Sequence, residues 1–486
     1  MFRRRWVAAA VTAALVVVSA TLLTVGLVAT RPSAWLVFAG VLGALLSVGI
    51  LVAVAGSWAS VRPEERLRRR IERLEATVQD TRVKASRHEW TQEKALERIE
   101  STSREAATGA LHMAWATLRE APPVDAAQAA GAAPRVLFVT SNGGGMGHIA
   151  RCAAVLRHAG STLDGRILTL STAASTVAAA GYDVAYLPSH TTAGVSQDRW
   201  RRQFTRRLLD EVAAYRPESV VFDGTWVYPS LTDVADLVGL PLVWLRRGLW
   251  REGTDLTQVK SWRDHVTSVI VPGDIAETRE TAPEVFQDAT WVDPVSLAPA
   301  WLMPREKALA SLGLDPERRY ALVQLSGGNG DGSATAAAVE AVRGAGDIVP
   351  VVVRSPLLSS AVAHDAATID ARFPLVDLAG AWEFTVTGAG YNSVHENLHT
   401  GTPGVYLPSA VTLRDDQEKR AQAVAGAGLG ITAEDVDGIA GAVADLTAGR
   451  GIDEVRAAMR ESLSAQGAPS AAEAIVLSTR RWLAAH

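Results

Sequence analysis

The chain has 486 residues, 48% of them hydrophobic, which allows two or three domains with large cores. A net charge of −4 at pH 7 argues against a nucleic-acid binder. The one cysteine, Cys152, excludes an intrachain disulfide framework and a cysteine-built zinc site, and it fits a cytoplasmic globular part.

Two apolar stretches open the chain, Trp6–Thr30 and Ala34–Ser57, parted by Arg31-Pro32-Ser33. Each is long enough to cross roughly 30 Å of hydrocarbon as a helix. Arg3, Arg4 and Arg5 precede the pair and Arg66, Arg68, Arg69 and Arg70 follow it, so the positive-inside rule places both ends in the cytoplasm. The expectation is a transmembrane hairpin over residues 1–60 and a multi-pass cell-membrane protein whose catalytic part is cytoplasmic. Residues 61–120 are charged and helix-forming, with Leu67, Ile71, Leu74 and Val78 on a/d spacing. They read as a helical stalk or coiled coil, which offers a route to a homodimer. A small-residue linker, 121–134, closes the stalk.

The strand Arg135–Thr140 starts the α/β part. Ser141-Asn-Gly-Gly-Gly-Met-Gly-His148 follows, then a helix over Ile149–Ala159. Strand, glycine loop and helix in this order bring backbone N–H groups to an anion or a sugar, here through Gly143, Gly144, Gly145 and Gly147. No G-x-G-x-x-G with a ribose acid follows, so a dinucleotide fingerprint is rejected. His148 sits at a helix N-terminus, where the positive end of the dipole favours the neutral imidazole that a general base needs. The bland alternative is that it caps the helix or bonds a phosphate. Cys152, one turn on, reads as packed rather than reactive.

Short apolar runs at Arg166–Leu170, Val184–Pro188, Ser219–Phe222, Leu242–Leu245 and Val269–Val271 alternate with helical segments, which predicts a parallel, doubly wound sheet. Ligands of such sheets bind beyond the C-terminal strand ends. Asp223 stands at one such end as a rival base. Arg246 and Arg247 stand at another, where they are candidates to hold an anionic acceptor, against the plainer reading of a solvated face or a salt bridge. The run Arg199, Arg201, Arg202, Arg206 and Arg207 with Trp200 and Phe204 reads as an amphipathic helix facing a membrane, or as an ordinary surface helix.

A second half begins near residue 301. Ala321–Leu325 leads into Ser326-Gly-Gly-Asn-Gly-Asp-Gly332 and a helix, a place for a diphosphate on the backbone amides of Gly327, Gly328, Asn329 and Gly330. No G-x-x-x-x-G-K-[ST] is present, so a P-loop ATPase is not expected. Strands are expected at Ile348–Arg354 and Leu375–Leu378. Phe384–Thr387 then ends in Gly388-Ala389-Gly390, followed by a helix carrying Asn392, Ser393 and Glu396, a stop at Gly401-Thr402-Pro403, the run Gly404–Leu407, and Asp415-Asp416-Gln417. Glu396 suits two sugar hydroxyls, although Ser393-Val-His-Glu396 also spells a capping box that needs no ligand.

Gly390-Tyr-Asn-Ser-Val-His-Glu396, Gly401-Thr-Pro403 and Asp415-Asp-Gln417 through Ala421 resemble the donor-site signature of GT-B nucleotide-sugar glycosyltransferases, with the lipid II-forming N-acetylglucosaminyltransferase and the monogalactosyldiacylglycerol synthases as the most similar families. The first glycine loop with its terminal His148 resembles theirs too, and the likeness runs from Arg135 to the C-terminus. It implies two Rossmann-like domains facing a cleft, an acceptor domain at 135–300 and a donor domain at 301–486. It also implies a tail helix near Ala471–Leu483 that packs back on the first domain. Sugar would pass from a UDP-sugar to a lipid or cell-envelope acceptor, inverting in one displacement, with no cofactor and no metal. His148 or Asp223 would be the base. Gly328 and Asn329 would meet the leaving diphosphate, Glu396 the ribose, and Asp416 and Gln417 the donor. His395 and Met146 depart from the family pattern. Two alternatives stand beside this reading: a UDP-sugar 2-epimerase of the same fold, and a non-catalytic membrane scaffold derived from a transferase.

Overall fold

The structure is a computed structural model. It describes residues 132–141, 145–246, 249–257, 259, 263, 265–325, 332–354, 366–409, 415–463 and 470–486, together with Ala20, 39–46 and Val48. The chain divides into two compact units, Met1–Ser103 and Arg104–His486. In the first unit, residues 39–46 are helical, with Leu42, Leu45 and Leu46 exposed.

The multi-pass membrane location expected from the sequence is overturned: among the described residues no helix is long and apolar enough to cross a membrane. The expected spans, 6–30 and 34–57, lie outside the described residues apart from the few named above. So do the stalk, with the homodimer expected through it, and the linker up to residue 131.

The second unit holds two parallel sheets of like topology. The first has strands β1 (Arg135–Thr140), β2 (Asp164–Thr169), β3 (Val184–Tyr186), β4 (Ser219–Gly224), β5 (Leu242–Arg246), β6 (Ser268–Pro272) and β7 (Thr290–Val292). They lie in the order β3-β2-β1-β4-β5-β6-β7, every pair parallel. The second has β8 (Arg319–Gln324), β9 (Ile348–Arg354), β10 (Ala367–Asp370), β11 (Phe384–Gly388), β12 (Gly404–Leu407) and β13 (Ile431–Thr432), ordered β10-β9-β8-β11-β12-β13 and also all parallel. In each sheet the order reverses beside the first strand, between β1 and β4 and between β8 and β11. A crevice opens at such a point beyond the carboxyl ends of the strands.

Among the described residues of this unit, the α-helices of six residues or more are α1 (Gly147–Ala159), α2 (Ala174–Ala179), α3 (Gln197–Tyr215), α4 (Pro229–Val238), α5 (Arg305–Leu312), α6 (Ser333–Gly344), α7 (Tyr391–Thr400), α8 (Gln417–Gly426), α9 (Ile439–Ala444), α10 (Ile452–Leu463) and α11 (Ala471–Ala485). Because successive strand side chains point to opposite faces, β1 splits its residues between two cores. Val136 and Phe138 pack with Ile149 and Cys152 of α1 and Ile475 of α11. Leu137 and Val139 pack with Trp200, Phe204 and Leu208 of α3 and Leu231 of α4. Both faces are covered, which is why these strands read as continuous apolar runs rather than alternating ones. The second sheet repeats the arrangement, with Val323 and Val386 against α6 on one face and Leu322 and Val351 against α5 on the other.

Three details differ from expectation. Leu375–Leu378 is not a strand but part of a 3₁₀ helix, Leu375–Ala381, because an apolar run of that length fits a tight turn as well as a strand. The apolar face of α3 does not look outward to a membrane. Trp200 and Phe204 stack at 5.0 Å between centroids inside the core. Ser393 is not a helix cap, since α7 begins one turn earlier with Gly390 as its N-cap. The tail helix α11 returns to the first sheet: Ala471, Ala472 and Ile475 enter its core, Thr479 Oγ1 donates to Ser219 Oγ at 2.8 Å, and the Ser478 and Ser268 hydroxyls lie 2.7 Å apart.

Candidate active site

The register of the first sheet sets Thr140 opposite Asp223, so the loop after β1 and the end of β4 emerge side by side at the reversal point. His148 comes up on the first turn of α1. Its Nδ1 lies 2.6 Å from Asp223 Oδ1, and its Nε2 lies 3.2 Å from Ser141 Oγ. Burial would push the Asp223 carboxyl up, yet Arg151 and His148 hold it below its ordinary value. An ionised carboxylate only accepts, so Nδ1 carries the proton. In the neutral ring Nε2 is then the basic atom, and the Ser141 hydroxyl donates to it. The two candidates that the sequence sets up as rivals are one pair. Asp223 is fully buried and orients the imidazole.

Gly224 makes this corner possible. A Cβ there would lie 2.3 Å from the Phe222 ring and 2.8 Å from Ser141 Oγ, so any side chain would displace the group at His148 Nε2.

Arg151, three residues after His148 and on the same helix face, grips Asp223 with two bonds of 2.6 Å, Nε to Oδ2 and Nη2 to Oδ1. Burial opposes its charge, and Asp223 more than offsets this, lifting the guanidinium above its ordinary value.

The second sheet brings its own reversal point against this corner. Asn392 Nδ2 of α7 donates to the Gly147 carbonyl at 3.1 Å, and Arg151 lies over the Tyr391 ring, 5.3 Å from its centroid. Tyr391 Oη donates to the Gly273 carbonyl at 2.9 Å and accepts from Val295 N–H at 3.0 Å. Arg420 of α8 is fully buried and bonds Asp274 Oδ2 (Nε, 2.9 Å), Asp415 Oδ1 (Nη2, 2.8 Å) and the Ala389 carbonyl (Nη1, 3.0 Å). Burial opposes the charge of Asp274, but Arg420 and His395 hold its carboxyl well below the ordinary value. His395 lies beside Tyr391 on the same helix, with ring centroids 4.4 Å apart and planes inclined at 49°, and its Nε2 is 3.9 Å from Asp274 Oδ1.

Glu396 faces a cleft of ≈ 40 Å³ bordered by Gln324, Leu375, Val376, Ser393 and Asn397, room for a few waters at most. Burial pushes its carboxyl up to about 8, with Asp377 adding to the rise and Arg157 opposing it.

No family model matches the sequence, and no curated protein does. Solved structures do match. The spinosyn forosaminyltransferase SpnP aligns over 72% of this chain and 99% of its own, with a TM-score of 0.51 at 15% identity. UGT2 of Phytolacca americana, complexed with UDP-2-fluoro-glucose and pterostilbene, aligns over 72% of this chain and 100% of its own, also at 0.51 and 15%. The fold is GT-B.

Within this GT-B frame the expected site residues fall into three groups. His148, Asp223, Gly145, Gly147, Gly390 and Asn392 meet at the facing reversal points, and Ser393 with Glu396 lines the neighbouring cleft. Gly143, Gly144, Arg247, Gly327, Gly328, Asn329 and Gly330 lie outside the described residues. The others hold the protein together. Arg246 is not an acceptor contact: it is buried, bonded to Glu277, and packed over Phe286 at 4.4 Å. Burial pulls its guanidinium down against the pull of Glu277. Asp416 caps α8 by accepting from Lys419 N–H at 3.1 Å, and Gln417 Oε1 accepts from Ser409 N–H at 3.0 Å.

Tyr391 and Arg420 lie within the two quoted motif stretches, which give neither a role of its own, and Arg151 and Asp274 carry no motif signal. The spacing of Arg151 from His148 is the one clue the sequence held. Cys152 is buried, as its position suggests. Among the described residues, no three His, Cys, Asp or Glu side chains are arranged to hold a metal ion.

Proposed function

We propose that the chain is a glycosyltransferase that moves a sugar from a UDP-sugar to an acceptor hydroxyl, inverting the anomeric carbon in one displacement. The observation that carries this is the His148 Nδ1–Asp223 Oδ1 bond of 2.6 Å, set at the sheet's reversal point and facing the N-terminus of α7. His148 Nε2 takes the acceptor proton, and Asp223 stabilises the imidazolium that forms. Backbone N–H groups at the N-termini of α6 and α7 meet the charge of the departing diphosphate. Glu396 holds the ribose hydroxyls. The solved UGT2 complex, with its UDP-2-fluoro-glucose on the same fold, supports the choice of donor.

Trp226 and Trp250 follow β4 and β5, half-buried with ring centroids 5.4 Å apart. Such an aromatic pair, its planes inclined at 38°, suits an acceptor with an apolar portion beside the reacting hydroxyl.

The test is UDP release from UDP-glucose, UDP-galactose and UDP-N-acetylglucosamine, each with and without a panel of lipid-linked and phenolic acceptors. Release that requires an acceptor and falls about 10²–10⁴-fold in His148→Gln, with UDP affinity unchanged, is expected. Conversion of UDP-N-acetylglucosamine without any acceptor would point to an epimerase instead.

A further inference from the structure

We propose that Arg151 is a positioning residue: it locks the His148–Asp223 pair in its working geometry and couples that geometry, through Tyr391, to the donor-side half of the protein. The inference rests on His148 being the base. Three observations carry it.

First, Arg151 occupies both carboxylate oxygens of Asp223 from a site almost fully buried, so the carboxylate is held in one rotamer. A carboxylate pinned in this way presents Oδ1 to Nδ1 and holds the imidazole in the tautomer with Nε2 unprotonated. Second, the guanidinium cancels a charge that would otherwise act on the base. A lone buried carboxylate beside an imidazole favours imidazolium, which cannot accept a proton. Third, the far side of the guanidinium rests on Tyr391, the first residue of α7. That ring is fixed by its hydroxyl to Gly273 and Val295 and lies against Arg420, 5.8 Å from the centroid. A shift of α7 against the first sheet therefore moves the surface on which Arg151 lies.

Among the described residues, Ser141 and Asp223 from the ends of β1 and β4 bond the imidazole and Arg151 of α1 acts on it through Asp223, while the Cys152 thiol, Tyr391 of α7 and Arg246 of β5 act on Arg151. Arg151 is the cation bonded directly to Asp223.

The experiment is a ¹⁵N-histidine NMR titration of the full chain, with the His148 signals assigned by their loss in His148→Gln. In the wild type the Nδ1–H tautomer is expected alone. Arg151→Gln should raise the His148 midpoint by about one pH unit or more and bring in the Nε2–H tautomer. Arg151→Lys keeps the charge but loses the fork, so its midpoint should return near wild type while both tautomers are present. Tyr391→Leu should give mixed tautomers with both charges in place. UDP release by Arg151→Lys should fall about tenfold or more in kcat, with the Kd for UDP within twofold of wild type.

If Arg151→Gln does not fold, the Lys and Leu variants decide the matter. An unchanged His148 midpoint and a single tautomer in every variant that folds overturns the proposal. If the wild type turns over no UDP-sugar, the transferase reading fails on its own, and the NMR result still settles what Arg151 does.

Discussion

Glu396→Gln isolates the cost of the half-buried carboxyl beside the cleft lined by Ser393 and Asn397. The glutamine has the shape of the protonated acid and cannot ionise. In the folded chain the Glu396 carboxyl is pushed up to about 8 from an ordinary 4.5. Below the ordinary value both folded and unfolded chains carry the proton, and acid and amide are equivalent. As pH rises from there, the unfolded chain releases its proton while the folded chain keeps it, so the wild type loses stability until the folded carboxyl also ionises near pH 8. At about 1.4 kcal/mol per pH unit the loss has a ceiling of about 5 kcal/mol. Solvent reaching the half-buried group reduces this to about 2–3 kcal/mol. Circular-dichroism melts of wild type and Glu396→Gln at pH 5 and pH 9 read it directly. The variant should melt within a degree or so of wild type at pH 5 and about 3–4 °C higher at pH 9. The same difference at both pH values would refute the reasoning, because it would show that Glu396 is not held protonated by the fold.

Two further outcomes are expected. Glu396→Ala removes two neutral hydrogen bonds to ribose, together worth about 1–3 kcal/mol, so the Kd for UDP measured by calorimetry at pH 7 should rise about tenfold while the fold survives. Asp274→Ala leaves Arg420 with one carboxylate instead of two in a dry site between the halves. Breaking a buried pair from one side costs about 3–5 kcal/mol, and because Asp415 stays bonded to Arg420 the loss in Asp274→Ala should fall at or below that range, as denaturant unfolding will show.

The sequence makes the strands legible where both faces are covered, because runs such as Val136–Val139 are apolar throughout. It hides short edge strands such as Ile431–Thr432, which hold too few residues to show a period. It exposes His148 and Asp223 separately, each from its place at a strand or helix end. Their pairing depends on β1 lying beside β4, a fact of topology with no local mark. Arg246 shows the opposite failure: at the end of a strand it reads as a ligand contact, and only the third dimension reveals Glu277 beneath it. Likewise Arg151, Tyr391, Arg420 and Asp274 come from four separate elements and acquire meaning only where those elements meet.

The returning helix α11 has a consequence for the order in which the chain can be made. Its Ala471, Ala472 and Ile475 complete a core whose other members, Val136 and Phe138, are translated much earlier. At about 5–20 residues per second, the first sheet leaves the ribosome and waits on the order of ten seconds or more with the part of that face that α1 does not cover left open. Through this interval the nascent protein carries the apolar patch on which α11 will settle. The first half is thus a client for holding chaperones by construction, and a stop codon shortly before Ser470 would yield a product whose fault lies in the half that had been translated in full.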